Sequence, residues 1–140
     1  MKTRIFLDTN VMMDLLSERL PFYDSIAKIA SLADKGELTL IVSALSYTTV
    51  NYLLTKIESL DKVRSKLRKF KIILEIAVLD EEVIEKGLNS NFSDFEDAVQ
   101  YFCALKSNCK IIITRNAKDF KESKLPIMSP EEFLASIKKK

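Results

Sequence analysis

An α/β fold, with a mainly parallel β-sheet of about 4–5 strands flanked by α-helices, is what this sequence predicts. Three observations predict it. Short apolar, β-branched runs alternate with longer segments whose apolar residues recur at helical spacing. Several of those runs stop on a polar residue suited to open a helix. No repeat, low-complexity tract or Pro/Gly-rich linker interrupts the 140 residues, which read as a single domain, 1–140.

The elements follow in order. Ile5-Phe6-Leu7 is a buried strand stopped by Asp8-Thr9-Asn10. Helical spacing runs through Val11 to Leu16 and, after Pro21, from Phe22 to Leu32, with Gly36 marking a helix end. Leu38 to Val42 is the second strand, where Thr39 and Ile41 favour extended backbone. Ser43 or Ser46 opens a helix to about Glu58, and a basic helix spans roughly Leu60 to Phe70. Glu75 to Leu79 is a third strand, followed by Asp80 as the N-cap of a helix to Gly87.

Asn89 to Phe92 is a loop. Ser93 at N-cap and Glu96 three residues on then form a capping box for a helix to about Lys106. Lys110 to Thr114 is the clearest strand, β-branched through Ile111-Ile112-Ile113. Pro126 to Ser129 is a last short strand, and Pro130 starts a terminal helix. In a parallel sheet Asp8-Thr9-Asn10, Ser43, Asp80 and Thr114-Arg115-Asn116 share the carboxyl edge, where ligands bind.

Composition removes most catalytic chemistries. There is no histidine, so Ser-His-Asp, Cys-His and His-based zinc sites are excluded. Gly36 and Gly87 are the only glycines, so no phosphate-cradling glycine loop exists. Cys103 and Cys109 cannot close a four-thiolate site and read as small core side chains in a reducing, cytoplasmic setting. The N-terminus lacks the apolar run of a leader, and no run approaches the ~20 residues of a membrane span. An enzyme of this composition works with carboxylates, lysines, hydroxyls or a hard cation held by oxygen.

Net charge is only +2, but its distribution is uneven. Lys56 to Lys71 holds seven basic residues against Glu58 and Asp61. The helix carrying Lys62, Arg64 and Arg68 is either a solvated face or a surface that steers a polyanion. Lys138-Lys139-Lys140 ends the sequence. Arg19 and Arg115 read equally as phosphate contacts or members of ion pairs. Tyr47, Tyr52, Tyr101 and Phe102 read as core packing before base stacking.

Four acids stand out. Asp8 is either the N-cap of the next helix or a metal ligand on a rigid strand end. Asp94 and Asp97 share a helix face at i, i+3; the dipole of the first turn explains Asp94, whereas Asp97 borders apolar Ala98 and Val99 and needs a partner. Asp119 lies in the loop after the fourth strand. Converging carboxylates repel, which raises their pKa values or calls for a cation, and without histidine the fitting ion is Mg²⁺ or Mn²⁺.

Asp8-Thr9-Asn10-Val11 resembles the opening motif of PIN-domain nucleases. Asp94-Phe95-Glu96-Asp97-Ala98-Val99-Gln100-Tyr101 and Ile113-Thr114-Arg115-Asn116-Ala117-Lys118-Asp119-Phe120 resemble its later motifs, in order, and the likeness covers nearly the whole chain. Small PIN proteins of this kind are similar to VapC-type toxins of toxin–antitoxin pairs. The resemblance implies a single PIN-like domain and Mg²⁺- or Mn²⁺-dependent cleavage of RNA. It further implies homodimer formation and inhibition by a small antitoxin.

Carried over, Asp8 and Asp97 match acidic positions, Thr114 the supporting hydroxyl, and Asn116 the place of a fourth acid in many members. Asp119, a turn away, is its substitute. Many members have a Glu in the helix after the second strand; here Thr49 stands there, with Asn51 nearby. Asp94 or Asp14 is the candidate replacement. The metal is thus expected among Asp8, Asp97 and Asp94, with Asp119 as a further catalytic acid. Asn10, Asp14, Thr49, Thr114 and Asn116 are expected in support, with Arg115, Lys62, Arg64 and Arg68 on the RNA. The Thr49 departure also opens an alternative, a catalytically weakened PIN-like module that binds RNA or protein.

Overall fold

The computed structural model describes residues 2–138; Met1 and the last two lysines of the terminal run, Lys139 and Lys140, lie outside it. In chain order the elements are β1 (Thr3–Leu7), α1 (Thr9–Leu16), α2 (Tyr23–Asp34), β2 (Leu38–Ser43), α3 (Ala44–Leu54) and α4 (Leu60–Ile72). Then come β3 (Leu74–Ala77), α5 (Glu81–Leu88), α6 (Phe95–Lys106), β4 (Ile111–Ile113), a 3₁₀ turn (Ala117–Phe120), β5 (Ile127–Met128) and α7 (Pro130–Lys138). The five strands pair in the order β3-β2-β1-β4-β5, all parallel. That is the expected α/β architecture.

Alternation along the strands divides the core into two layers. Ile5, Leu7, Leu40, Val42 and Ile113 face α1, α2, α3, α4 and α7 through Val11, Ile29, Val50, Val63 and Phe133. Phe6, Ile41, Ala77 and Ile112 face the opposite side, against Val83 of α5, Val99 and Cys103 of α6, and Phe120. Because the crossovers cover both faces, the central stretches Ile5-Phe6-Leu7, Leu40-Ile41-Val42 and Ile111-Ile112-Ile113 are continuously apolar rather than alternating. Both cysteines are buried and free, as expected.

Local signals place most boundaries. Gly36, at φ +78°, ends α2, and the N–H of Glu37 returns to the Leu32 carbonyl at 2.9 Å. Ser43 rather than Ser46 caps α3, accepting from the Ser46 N–H. Ser129 and Glu132 cap α7 reciprocally.

Three expectations shift. α3 stops at Leu54 instead of Glu58, because Ser59 opens α4. β3 stops at Ala77 rather than Leu79, because its partner β2 ends opposite it at Ser43. Asp94, not Ser93, caps α6, accepting from the Asp97 N–H at 3.1 Å.

Candidate active site

Strand order reverses between β1 and β4, the switch point at whose carboxyl edge sheets of this class form their ligand-binding crevice. Asp8 leaves the end of β1 there and Thr114 the end of β4. The Asp8 N–H donates to the Ile113 carbonyl at 3.0 Å, so the β1–β4 ladder sets its backbone. Its side chain is held at both oxygens: Oδ1 accepts from the Thr9 N–H at 2.8 Å, and Oδ2 from the Thr114 hydroxyl at 2.9 Å. The first of the two sequence readings of Asp8, the N-cap, is what these contacts describe. They also fix its carboxylate at the switch point. Burial pushes its pKa up; the Thr114 and Thr9 hydrogen bonds oppose this, and the charges of Glu96 and Asp119 add to it.

Asp97, in the first turn of α6, is perturbed further. Burial, then the negative charges of Asp94, Asp8, Asp119 and Glu96, raise its carboxyl to about 7. Among the described residues no Lys or Arg forms an ion pair with Asp8, Asp94, Asp97 or Asp119. The charges of these acids bear on one another from three separate stretches of chain. No three of them stand close enough to make a ready-formed metal cage among the described residues.

Asp94 commits Oδ1 to the α6 cap, and its charge bears on Asp97; Asp119 is exposed, and its charge bears on both Asp8 and Asp97. Glu96 reaches both as well. The sequence reading had assigned Glu96 to a capping box with Ser93, and with the cap moved to Asp94 its carboxylate is free of that role. The donor set is all carboxylate and hydroxyl oxygen with a surplus of negative charge, which fits Mg²⁺ or Mn²⁺ and fits no softer ion.

Beside this acidic group lies a neutral one. Gln100 Nε2 donates to Thr9 Oγ1 at 2.5 Å and to Ser46 Oγ at 2.9 Å, and Gln100 Oε1 accepts from the Ser43 hydroxyl at 2.5 Å. Thr9 and Ser46 hydroxyls are themselves 2.7 Å apart. All four side chains are buried, and no buried side-chain N or O among the described residues lacks a partner. Sequence reasoning missed Gln100 and Ser46. The available signal was a glutamine one turn beyond Asp97 on a helix otherwise buried through Ala98, Val99 and Tyr101, where an amide must find partners.

Several expected supports sit elsewhere. Asp14 is fully buried but neutralised, with Arg115 Nε at 2.7 Å, Arg115 Nη2 at 3.3 Å and Arg19 Nη1 at 3.6 Å. Its carboxylate is committed to these ion pairs. Arg115, expected on RNA, is instead bound to Asp14, with its guanidinium stacked 3.8 Å over the Phe22 ring. Among the described residues Thr49 has no side-chain hydrogen bond to either group; Ser46, one turn earlier on α3, makes the contact instead.

The Asn116 N–H donates to Thr114 Oγ1 at 3.1 Å, so it buttresses the hydroxyl that holds Asp8. Asn10 is exposed in the first turn of α1. Lys62, Arg64 and Arg68 are exposed on α4, which packs against α3 and edge strand β3, two strands from β1. Tyr101 is buried and Tyr47 and Phe102 half-buried; Tyr52 corrects the core expectation, being 60% exposed with Lys56 over its ring.

A family model described as PIN domain matches residues 4–118, which include every acid of the group but Asp119. The chain belongs to the PIN-domain family. It is 31% identical over 135 residues to Ribonuclease VapC1 of Aquifex aeolicus, across 93% of this chain and 92% of that one. Among solved structures, a toxin-antitoxin complex from Klebsiella pneumoniae superposes with a TM-score of 0.66 at 21% identity, covering 90% of this chain and 97% of that one. Mycobacterium tuberculosis VapC20, a toxin that cleaves the Sarcin-Ricin loop, superposes with a TM-score of 0.61 at 12% identity, covering 77% and 86%. The PIN-fold expectation holds. No helix among the described residues is long and apolar enough to cross a membrane.

Proposed function

We propose that this PIN-domain protein is a Mg²⁺- or Mn²⁺-dependent endoribonuclease, the toxin of a toxin–antitoxin pair. One observation carries the chemical part: two carboxylates from distant segments, Asp8 and Asp97, are both destabilised as anions at the switch point, and no Lys or Arg among the described residues is ion-paired to either. The 31% identity to a ribonuclease along nearly the whole chain supports the substrate class. Superposition on a toxin-antitoxin complex supports a small antitoxin as partner.

Asp8 and Asp97 are the residues that would hold the ion, with Asp119 or Asp94 supplying the third carboxylate. Asp119 is favoured because its charge bears on both of the others. When bound, the ion supplies Lewis acidity and offsets the negative charge of the scissile phosphodiester. The protein's own part is geometric. The Thr114 hydroxyl and Thr9 N–H fix both oxygens of Asp8, and the start of α6 presents Asp97. Water adds to phosphorus, the P–O3′ bond breaks, and the leaving oxygen takes a proton. The products are a 5′-phosphate and a 3′-hydroxyl.

A panel of structured RNAs, incubated with Mg²⁺, Mn²⁺ or chelator, tests the activity beside the Asp8→Asn protein. Cleavage that survives chelation, or survives Asp8→Asn, overturns the reading. The lack of a ready-formed three-acid cage favours a second reading, a PIN-like module of weakened catalysis that binds RNA or protein. Calorimetric titration with millimolar Mn²⁺ separates them: heat of binding lost in Asp8→Asn supports the nuclease, and no heat in the parent supports the module.

A further inference from the structure

The buried amide of Gln100 joins three pieces of chain that the acidic group depends on. It belongs to α6, in the layer packed on Phe6 and Ile41, one turn beyond Asp97. Its partners belong to other segments: Thr9, directly after Asp8 at the start of α1, and Ser43 and Ser46, at the end of β2 and the start of α3. The amide therefore passes over the carboxyl ends of β1 and β2, from one helical layer to the other.

Few other ties of this kind are available at that end of α6. Asp94 caps the helix from within, and among the described residues Asp97 has no ion-pair partner that would anchor it. Glu96 and Asp97 precede Gln100 by four and three residues, so all three share one helix face. Whatever fixes Gln100 fixes the rotation and height of that face relative to Asp8. Three hydroxyls around one planar amide do this with direction, which apolar contacts do not provide.

We infer that Gln100 is a positioning residue: by clamping α6 to Thr9, Ser43 and Ser46, it sets the placement of Asp97 relative to Asp8. It touches neither carboxylate and acts through the helix. The inference rests on the reading of Asp8 and Asp97 as the cation-holding pair. It also accounts for the α3 corner, where Ser46 contributes a neutral hydroxyl to the clamp although no acid stands at Thr49.

The experiment is a calorimetric Mn²⁺ titration of the parent, Asp8→Asn, Gln100→Leu, Gln100→Asn and Ser46→Ala, run well below each thermal midpoint and without RNA. Gln100→Leu keeps the volume but removes the clamp, and Mn²⁺ affinity should weaken by about 10- to 100-fold, the usual effect of removing a group that orients a ligand. Gln100→Asn keeps an uncharged amide but is one methylene shorter, so affinity should fall by less than in Gln100→Leu. Ser46→Ala removes one partner and should fall between the parent and Gln100→Leu; it is the safeguard should Gln100→Leu not fold.

A purely structural role predicts lowered midpoints with unchanged Mn²⁺ affinity. That result in folded Gln100→Leu or Ser46→Ala, with Asp8→Asn unable to bind, overturns the clamp and leaves the carboxylate pair standing. Parental affinity in Asp8→Asn overturns the pair, and the clamp with it.

Discussion

Asp8 and Asp14 are six residues apart, both buried, at 6% and 1% exposure, and their surroundings are opposite. Asp14 closes against two guanidiniums, those of Arg115 and Arg19, and the first of these is sandwiched on Phe22. Asp8 receives only a hydroxyl and a peptide N–H, and the charges that reach it, from Glu96 and Asp119, are of its own sign. A buried carboxylate with cations beside it is part of the framework. One left among other carboxylates is an expensive arrangement unless something of opposite charge joins it. The sheet puts the first kind behind α1 and the second at its switch point.

The same substitution should therefore read differently at the two positions. Asp8→Asn should reduce RNA cleavage by about three orders of magnitude, the scale of losing a preorganised electrostatic contact to the reacting centre. Its thermal midpoint should stay within about 4 °C of the parent, because the cap is retained and a disfavoured charge removed. Asp14→Asn should do the reverse. It leaves Arg115 and Arg19 short of a counter-charge and should cost about 2 kcal/mol in urea unfolding, while the folded fraction still cleaves. A large stability loss in Asp8→Asn, or dead but stable Asp14→Asn protein, would erase the distinction between them.

Why one acid looked like the other in sequence has a physical answer. Hydrophobic period and caps are local, so the order of elements could be read, with Gly36, Asp80 and Pro130 marking ends within a residue or two. The strand order is not local, and neither is the fact that Arg115 folds back across 101 residues onto Asp14. Asp14 therefore looked available as a spare ligand.

At α6, Ser93 and Asp94 are adjacent and both good caps, and choosing the wrong one misassigned Glu96 as well. The places of Asp8 and Thr114 on the carboxyl edge were legible because strand ends share one edge in this fold class, whereas Asp97 stood out as an acid bordering apolar Ala98 and Val99. The Gln100 cluster was not, because its four members come from three segments that only the tertiary structure assembles.

Thr114 offers a finer cut at Asp8. Its hydroxyl is the strongest influence opposing the burial that pushes Asp8 up. Thr114→Val keeps the shape and removes the donor, so Asp8 should become harder to ionise and Mn²⁺ affinity should fall by about tenfold, while Thr114→Ser should restore it. Equal affinity in Thr114→Val and parent would mean that Asp8 is oriented by its backbone cap alone.

Asp80 carries the Asp14 arrangement out to the surface, where it should matter least. The Lys106 ammonium, and after it the Val83 N–H at the cap of α5, hold the Asp80 carboxyl below its ordinary value of 3.8. A lowered acid pKa favours the folded state at any pH above the unfolded value, and that contribution disappears as pH falls through the lowered value. The midpoint gap between parent and Asp80→Asn should thus be present at pH 7, close below pH 3.8, and shrink in high salt, since both side chains are exposed enough to be screened. Asp14→Asn should keep most of its deficit in the same salt, because its carboxylate is sealed from solvent. If salt shrank the two deficits equally, burial would not be what separates a framework ion pair from a surface one, and the contrast between Asp14 and Asp8 would need another cause.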